Sequence, residues 1–468
     1  DLNMPLILGT NSIKDTGYDV ANSCRFATGS SAFMKKAQSG GNREKWTFST
    51  WVKKTLKVSN SILINPIGVN IAFNSTHTLY MDVSGVGRIF ETNALYRDVS
   101  AWYHIVVAFN TTDYSTVSAG QVKVYVNGVE QTFASTTNMS VGFDSGMNQS
   151  GVDIGIGRDE NGDNNYADYY LAETVLIDGQ QLEADQFGEF DEDSGIWKPI
   201  DVSGLTFGTN GFYLDYKNSA NLGNDANGGT DLTEGGLAAT DQTTDTCTNN
   251  FATSNPLIDS GVAYSEGNLD LSFGNSSQDS AGGTFGVSKG KWYWEHKIIS
   301  SGNTHYIGIK SANSNLTSTS GAAGTPSMYY TNEGKKVYNA SSGGSSYGST
   351  FTDNDIIGIA LDLDNSAIYF AKNGTWENSG DPTSGGTATG AAFSGTGSSD
   401  GFPSEQVYLP WIVGQTGGSA FTMTTNFGNP TFSISSGNQD ADGFGNFEYA
   451  VPSGYFALCT KNLAEYGG

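Results

Sequence analysis

The stretch Trp46-Thr47-Phe48-Ser49-Thr50-Trp51-Val52 decides the fold, because large apolar residues alternate there with small polar ones. A period of two places alternate side chains on opposite faces of a strand, so the stretch predicts a β-strand with a buried face. Asn127-Gly128 predicts a type I′ hairpin turn, since both residues tolerate positive φ. Similar strand patterns surround these two signals, at residues 61–65, 70–74, 78–83, 102–110, 121–127, 152–158 and 169–178. The short spacings favour an antiparallel sandwich or jelly roll over βαβ units.

A second strand-rich stretch opens with Lys291-Trp292-Tyr293-Trp294-Glu295-His296-Lys297-Ile298. Further strand patterns follow it at residues 305–310, 327–331, 356–363, 367–372, 407–413 and 421–427. Between the two stretches, residues 221–245 are crowded with Gly, Asn, Asp and Thr, which is typical of a long connection, although residues 211–216 could add one strand. The predicted fold class is all-β, with two tandem β-sandwich domains. The predicted organisation is an N-terminal arm (1–19), a first domain (20–190), a linker (191–255), a second domain (256–430) and a C-terminal tail (431–468).

Composition excludes several classes of partner. The 468 residues contain 23 Lys and Arg against 48 Asp and Glu, a net charge of −25. No basic patch can neutralise phosphates on such a surface, so we expect no nucleic-acid partner. No run of 18 apolar residues occurs, so we expect no membrane insertion. Three cysteines far apart in sequence predict neither a disulfide framework nor a zinc site.

Particular motifs in each half resemble known sandwich families. Asn22-Ser23-Cys24-Arg25-Phe26, the strand at 46–53, the strand at 102–109 and Val124-Tyr125-Val126-Asn127-Gly128 resemble the laminin G-like, concanavalin A-like jelly roll over residues 20–190. The second half resembles a SPRY domain, another concanavalin A-like sandwich, over residues 256–430. Its markers are Gly290-Lys291-Trp292-Tyr293-Trp294-Glu295, His305-Tyr306-Ile307-Gly308-Ile309, residues 355–362 and residues 368–374.

The pairing of these two halves resembles a group of structural proteins from marine tailed bacteriophages. The resemblance also covers residues 193–200 and 452–463. It implies a non-enzymatic virion surface protein, assembled in the host cytoplasm, that is a tail fibre, a tail-associated appendage or a capsid decoration. The implied partners are other virion proteins, further copies of this chain (three if it is a fibre), and a glycan or protein receptor on the host surface. The alternatives are a secreted or surface carbohydrate-binding lectin and a glycan depolymerase.

A glycan depolymerase would need two carboxylates a few ångströms apart across the scissile bond. The nearest match to a paired-carboxylate strand is Glu189-Phe190-Asp191-Glu192-Asp193, which lies beside Ser194-Gly195 and is more typical of a solvated acidic turn. The four histidines stand in no catalytic or metal-binding motif. We therefore predict no catalytic residues.

One acidic loop is a candidate calcium site. Oxygen-bearing side chains are concentrated between residues 159 and 168, and the predicted ligands are Asp159, Asn161, Asp163 and Asp168. Calcium takes six to eight oxygen ligands, although the spacing here departs from the EF-hand loop. The resemblance to laminin G-like domains, which often bind calcium at a sandwich rim, also favours Ca²⁺. The alternative is a plain acidic hairpin without a metal, and no other cofactor is predicted.

Aromatic side chains are the candidates for contact with a ligand or a partner protein, because their faces stack on sugars. The strand tryptophans are predicted to pack in the cores. SPRY domains bind partners with loops at one rim, which here implies residues 311–347 and 375–402. The predicted ligand- or partner-binding residues are Tyr166, Tyr329, Tyr330, Tyr338, Tyr347 and Trp376.

Overall fold

The computed structural model describes residues 15–55, 61–160, 165–274, 279–302, 304–316, 325–339, 343–397, 400–414 and 420–467. Strands make up 42% of the structure and helices 5%, which confirms the predicted all-β class. The described residues form two compact units, one of residues 16–248 and one of residues 249–467 together with Asp15. Within the described part, no helix is long and apolar enough to cross a bilayer.

The first unit consists of two large antiparallel sheets and a hairpin. Its strands are β1 (Ser23–Phe26), β2 (Phe33–Ala37), β3 (Lys45–Lys54), β4 (Ser61–Pro66), β5 (Val69–Phe73), β6 (Leu79–Val83), β7 (Gly87–Thr92), β8 (Trp102–Asn110), β9 (Val122–Val126), β10 (Val129–Glu130), β11 (Phe133–Thr136), β12 (Asp153–Ile156), β13 (Tyr169–Asp178), β14 (Gly188–Phe190), β15 (Trp197–Pro199), β16 (Phe212–Leu214), β17 (Thr233–Gly235) and β18 (Gln242–Thr243). One sheet has the order β10-β9-β8-β3-β13-β1-β18, with β16 also paired to β13, and the other has the order β11-β7-β6-β5-β4-β12-β2-β17. β14 and β15 form the hairpin.

The strand that contains the deciding stretch, β3, lies at the centre of the first sheet between β8 and β13. Trp46 belongs to the core between the sheets, where its ring stacks on Phe109 at 4.8 Å. Trp51 belongs to a separate cluster on the opposite face of the strand. The alternation of side chains thus places the two tryptophans on different faces, as their parity predicts.

The segment predicted as a linker, 191–255, is instead mostly part of the first unit. Residues 182–207 cover the outer face of the first sheet, where Phe187, Val202 and Phe207 pack on Val106 and Val175. This cover explains why nearly every residue of β3 is buried, although its pattern predicts one solvated face. Further along, Lys53 Nζ forms a buried ion pair with Asp245 Oδ2 at 2.7 Å. The boundary between the units therefore lies at Thr248, not at residue 190.

The second unit has the same two-sheet plan. Its strands are β19 (Ser254–Ser260), β20 (Val262–Ser265), β21 (Asp270–Phe273), β22 (Ser280–Gly283), β23 (Lys291–Ser300), β24 (His305–Ser311), β25 (Ser327–Thr331), β26 (Lys335–Tyr338), β27 (Ser345–Ser346), β28 (Ile356–Asp362), β29 (Ala367–Lys372), β30 (Thr375–Trp376), β31 (Phe393–Ser394), β32 (Tyr408–Gly414), β33 (Phe421–Asn426) and β34 (Phe456–Ala457), and α1 spans Thr460–Tyr466. The sheet orders are β19-β22-β32-β24-β25-β26-β27 and β20-β21-β33-β23-β28-β29-β30, with β31 paired to β29 and β34 paired to β23.

The segment predicted as a C-terminal tail, 431–468, is also integral to its unit. β34 pairs in parallel with β23, and Leu463 of α1 is buried in the core. Trp292 and Trp294 of β23 both face that core, as their shared parity predicts, whereas Tyr293 belongs to a second cluster with Phe447. The tail therefore covers the outer face of this sheet, much as residues 182–207 cover the first sheet of the other unit.

Candidate functional site

Three neighbouring strands of the first unit carry a polar groove on the outer face of their sheet. Asn70 of β5 lies opposite Asp82 of β6, and Asp82 lies opposite Arg88 of β7. Ile71 and Met81, the neighbours of these residues along the strands, point into the core between the sheets. Because side chains alternate across a strand, the polar residues face outward. We call this feature the 70–88 groove.

Arg88 is held in one position at the groove. Its guanidinium carbon lies 4.0 Å from the centroid of the Tyr80 ring. Its Nε donates to Asp82 Oδ1 at 2.5 Å, its Nη2 to Asp82 Oδ2 at 3.4 Å, and its Nη1 to Glu91 Oε2 at 2.7 Å. Hydrogen bonds from Thr78 and other neighbours, together with the charge of Arg88, lower the pKa of Glu91, so this carboxylate remains ionised. The ion pairs and the Tyr80 ring thus hold the guanidinium in one orientation.

Asn70 supplies an unused acceptor beside Arg88. Its Nδ2 donates to the Tyr80 hydroxyl at 3.2 Å. Its Oδ1 is buried and has no hydrogen-bond partner among the described residues. The surrounding cleft has a volume of about 720 Å³ and is lined by Asn65, Gly68, Val69, Asn70, Asp82, Val83, Ser84, Gly85, Val86, Gly87, Arg88 and Asp159. An amide, a guanidinium and carboxylates in one cleft can exchange several hydrogen bonds with a polyhydroxylated ligand.

The structure separates the described candidates for calcium binding. Asp159 lines the 70–88 groove. The Asp168 carboxylate instead accepts hydrogen bonds from the backbone N and the hydroxyl of Thr28, at 2.6 and 2.5 Å. Asn161 and Asp163 lie outside the described residues. Within the described ranges, no group of three His, Cys, Asp or Glu side chains could hold a metal ion. Calcium binding by the loop stays a prediction.

Three of the predicted contact aromatics are interior side chains, which corrects the expectation that they stand in rim loops. Tyr329 and Tyr330 are fully buried on opposite faces of β25, and Tyr347 is 8% exposed. The Tyr330 hydroxyl donates to the Ser349 carbonyl, and the Tyr347 hydroxyl donates to the Gly390 carbonyl at 3.2 Å. Tyr329 and Tyr330 are buried because both faces of β25 are covered, and the hydroxyls of Tyr330 and Tyr347 hold loops of the same unit.

The other predicted contact aromatics are half-buried. The Tyr338 hydroxyl donates to the Gly401 carbonyl at 3.3 Å. The Trp376 ring lies 6.5 Å from the rings of both Tyr293 and Tyr369, edge to face. Tyr166 lies in the first unit, 6.4 Å from the ring of Phe33. Contact of these three side chains with a ligand or partner stays a prediction.

The carboxylates considered for glycan hydrolysis lie on the β14–β15 hairpin. Lys198 Nζ is 3.4 Å from Glu189 Oε1 and 3.3 Å from Asp191 Oδ2. Hydrogen bonds from Ser194, together with Lys198, lower the pKa of Asp191 to about 2. A carboxyl with so low a pKa is ionised at neutral pH and is a poor general acid.

Sequence reasoning missed a histidine–serine contact in the first unit. His104 Nε2 lies 2.9 Å from Ser49 Oγ, while His104 Nδ1 accepts a hydrogen bond from Trp197 Nε1 at 3.0 Å. Because an indole N–H can only donate, Nδ1 carries no proton, and the Nε2–H must face the serine. Burial lowers the pKa of His104 to about 3, so the ring stays neutral. This tautomer cannot accept the serine proton, and the contact is structural.

The two-sheet plan of each unit places the chain among the β-sandwich proteins. More specifically, residues 291–396 match the family model of the SPRY domain. No curated protein matches the chain.

Solved structures with similarity to parts of the chain include the SPRY domain of human HERC1, with a TM-score of 0.28 and 16% identity, covering 37% of this chain and 96% of that one. A proposed carbohydrate-binding protein of Bacteroides ovatus has a TM-score of 0.34 and 14% identity, covering 46% of this chain and 58% of that one. A heptameric pentraxin of Limulus polyphemus has a TM-score of 0.27 and 13% identity, covering 36% of this chain and 81% of that one.

Proposed function

We propose that this chain is a non-enzymatic binding protein of a bacteriophage virion surface, and that its first unit binds a host-surface glycan in the 70–88 groove. On the virion it is a tail fibre, a tail-associated appendage or a capsid decoration. The observation that carries glycan binding is the buried Asn70 Oδ1, which has no hydrogen-bond partner among the described residues. An unsatisfied buried acceptor is costly, and a ligand hydroxyl that donates to it removes this cost.

Arg88 supplies complementary donors. A guanidinium has five N–H groups, and Asp82 and Glu91 accept three of them in the groove. The remaining donors can bond ligand oxygens while the ion pairs hold the side chain in place. A sugar hydroxyl both donates and accepts, so separate hydroxyls of one glycan can bond Asn70 and Arg88.

We assign the second unit to assembly of the virion. Its proposed partners are other virion proteins and further copies of this chain. Its match to the SPRY domain supports a binding role. A secreted carbohydrate-binding lectin would bind its glycan in the same groove. The virion protein and the lectin are therefore distinguished by where the protein is found, on particles or outside them.

Glycan binding is tested by probing an array of bacterial surface glycans with the purified full-length protein and with Arg88→Lys. Lysine keeps the charge but loses the planar fork, so we expect a loss of about tenfold in affinity or more. The matched control is Arg43→Lys, because Arg43 is also paired with an aspartate, Asp144, and its side chain is 31% exposed against 33% for Arg88. Equal binding by Arg88→Lys and the wild type would contradict the proposed site.

The virion assignment is tested separately, by mass spectrometry and cryo-electron microscopy of purified particles. Copies on the tail or the shell support it. A chain found only outside particles would make the lectin the better assignment.

A further inference from the structure

Negative charge is in excess in the 70–88 groove. Arg88 is the single basic side chain among the described residues that line the groove, whereas the carboxylic acids Asp82 and Asp159 both line it. Arg88 pairs with Glu91 as well as with Asp82, so two carboxylates share one cation and one negative charge is left over. Asp159 adds a second negative charge. The groove therefore presents a net negative charge to its ligand.

The position of Asp159 is fixed by contacts of the residues on either side of it. Asn65 Nδ2 donates to the Val69 carbonyl at 2.9 Å, and its Oδ1 accepts from the backbone N of Glu160 at 3.0 Å. These bonds hold the turn that contains Asp159 against β4. Arg158 donates from Nε and Nη2 to the two oxygens of Glu160, at 2.6 and 3.1 Å. The charge of this neighbouring cation is therefore offset by Glu160.

The two lining carboxylates lie near the same hydroxyl group. Burial raises the pKa of Tyr80, and the charges of Asp82 and Asp159 raise it further, so both carboxylates are close to the Tyr80 hydroxyl. This hydroxyl accepts from Asn70 Nδ2 at 3.2 Å, and Asn70 lies directly opposite Asp82 in the register of β5 and β6. Asp82 and Asp159 thus flank the amide that already supplies an unused acceptor to the groove.

A ligand can reach the groove from solvent. The Asp82 side chain is 40% exposed, and that of Arg88 is 33% exposed. Gly85 and Gly87 line the groove at the turn between β6 and β7, and a Cβ at either position would meet no atom within 4 Å. The turn therefore leaves open space beside the Asp82 carboxylate.

The excess of acceptors selects one kind of ligand group. A carboxylate can accept about four hydrogen bonds, and Arg88 supplies two of those to Asp82. An ammonium group carries three donors, no acceptor and a positive charge, so it matches carboxylates in both hydrogen bonding and charge. A hydroxyl lacks the charge, and a carboxylate of an acidic sugar is repelled.

We propose that the 70–88 groove selects a glycan with an unacetylated amino sugar, whose ammonium group is held by the carboxylates of Asp82 and Asp159. The inference rests on the proposed function for glycan binding itself and adds the class of sugar. Hydroxyls of the same glycan accept from Arg88, while the carboxylates discriminate against acidic sugars.

The test titrates the full-length protein with matched β-1,4-linked trisaccharides by calorimetry. The trimers of glucosamine, N-acetylglucosamine and glucose differ only at carbon 2, which carries an ammonium, an acetamide or a hydroxyl group. The glucuronate trimer is the anionic counterpart. We expect the glucosamine trimer to bind about tenfold more tightly than the glucose trimer, and the glucuronate trimer to bind most weakly. The preference for glucosamine should shrink in about 0.5 M salt, because salt screens exposed charges.

A variant of Asp159 links the preference to the groove. Asp159→Asn removes one negative charge and leaves the pairs of Arg88 with Asp82 and Glu91 in place, so the preference for glucosamine should fall about threefold or more. The matched control is Asp144→Asn, which changes the net charge of the protein equally at an exposed carboxylate paired with Arg43. This control removes the part of the preference that the acidic surface as a whole contributes.

The outcomes separate the selectivity from glycan binding itself. If the glucosamine trimer binds no more tightly than the glucose trimer, the inference is wrong and the proposed function stands. If no trimer binds, the inference is also overturned, and the glycan array with Arg88→Lys decides the proposed function separately. Tighter binding of the glucuronate trimer, or equal loss of the preference in Asp159→Asn and Asp144→Asn, would overturn the inference as well.

Discussion

Two buried glutamates, one on a central strand of each unit, are bonded in different ways. Glu295 of β23 is fully buried, and each of its oxygens accepts two hydrogen bonds. The donors are the Tyr293 hydroxyl at 2.9 Å, Asn426 Nδ2 at 3.2 Å, and the backbone N of Glu448 and Tyr449 at 3.0 and 2.9 Å. Two of these four donors belong to the segment that covers the sheet, so Glu295 fastens that segment to its unit.

Glu173 of β13 is bonded at one oxygen only. Its Oε2 accepts from the hydroxyls of Tyr213 at 2.6 Å and Tyr18 at 3.3 Å, whereas its Oε1 has no hydrogen-bond partner among the described residues. Its φ is +47°, at an irregularity in the pairing of β13 with β3. A non-glycine residue rarely adopts this conformation. Burial raises the pKa of both carboxyl groups, and the hydrogen bonds of four donors oppose that shift at Glu295, whereas two donors oppose it at Glu173. The difference teaches that the number of donors around a buried carboxylate sets how strongly the stability of the fold depends on its protonation.

The largest expected effect comes from Glu295→Ala, which removes the acceptor for four donors at once. Leaving buried donors unsatisfied should lower the free energy of unfolding of the second unit by about 3–5 kcal/mol. Denaturant unfolding followed by tryptophan fluorescence measures the loss. Hydrogen exchange should also show faster exchange at the amides of Glu448 and Tyr449.

The control is Glu295→Gln, which keeps the size and one carbonyl acceptor and should cost less than the alanine. If Glu295→Ala were as stable as the wild type, Glu295 would not be the residue that fastens the covering segment to the second unit.

A pH-dependent effect is expected at Glu173. Burial, only partly opposed by the hydrogen bonds from Tyr213 and Tyr18, raises its pKa from 4.5 to about 7. Between these values the folded protein keeps a proton that the unfolded chain has released, so stability falls as the pH rises and levels off above about 7. The expected total is about 3 kcal/mol for the first unit. Unfolding measured across this pH range should show the slope for the wild type.

Glu173→Gln should remove that slope, because glutamine does not titrate. The nearby charges of Lys217 and Asp215 remain in the variant, so the substitution changes only the group that titrates. A slope of unchanged size in Glu173→Gln would assign the pH dependence to other groups.

The fold was predictable from local patterns, because strand alternation and turn chemistry are local. Trp46 and Trp51 occupy opposite faces of β3, and Asn127 and Gly128 both have positive φ, as the hairpin signal requires. The cover segments were not predictable in the same way. A Gly- and Asn-rich segment has the same composition whether it is solvated or lies on a sheet, so composition does not reveal a cover. The buried ion pair of Lys53 and Asp245 also joins residues far apart in sequence, which no local pattern predicts.

The groove was not predictable for a related reason. Asn70 and Arg88 come together only through the register of three strands, and the sequence near each residue carries no sign of the other. The burial of Tyr330 likewise depends on what covers the sheet. Proximity to a predicted loop therefore did not reveal that Tyr329, Tyr330 and Tyr347 are interior side chains.

The smallest expected effects come from variants that remove a single tyrosine hydroxyl bonded to one of the two glutamates. Tyr213→Phe removes the closer of the two donors to Glu173, so at pH 8 we expect a loss of about 1–2 kcal/mol in the stability of the first unit and a higher pKa for Glu173. Tyr18→Phe, which removes the bond of 3.3 Å, should cost less. Tyr293→Phe should also cost less, because three donors remain around Glu295. Denaturant unfolding at pH 8 measures the loss of unfolding free energy in each variant. Equal losses in all three would mean that the number of remaining donors does not set how much a buried carboxylate contributes to stability.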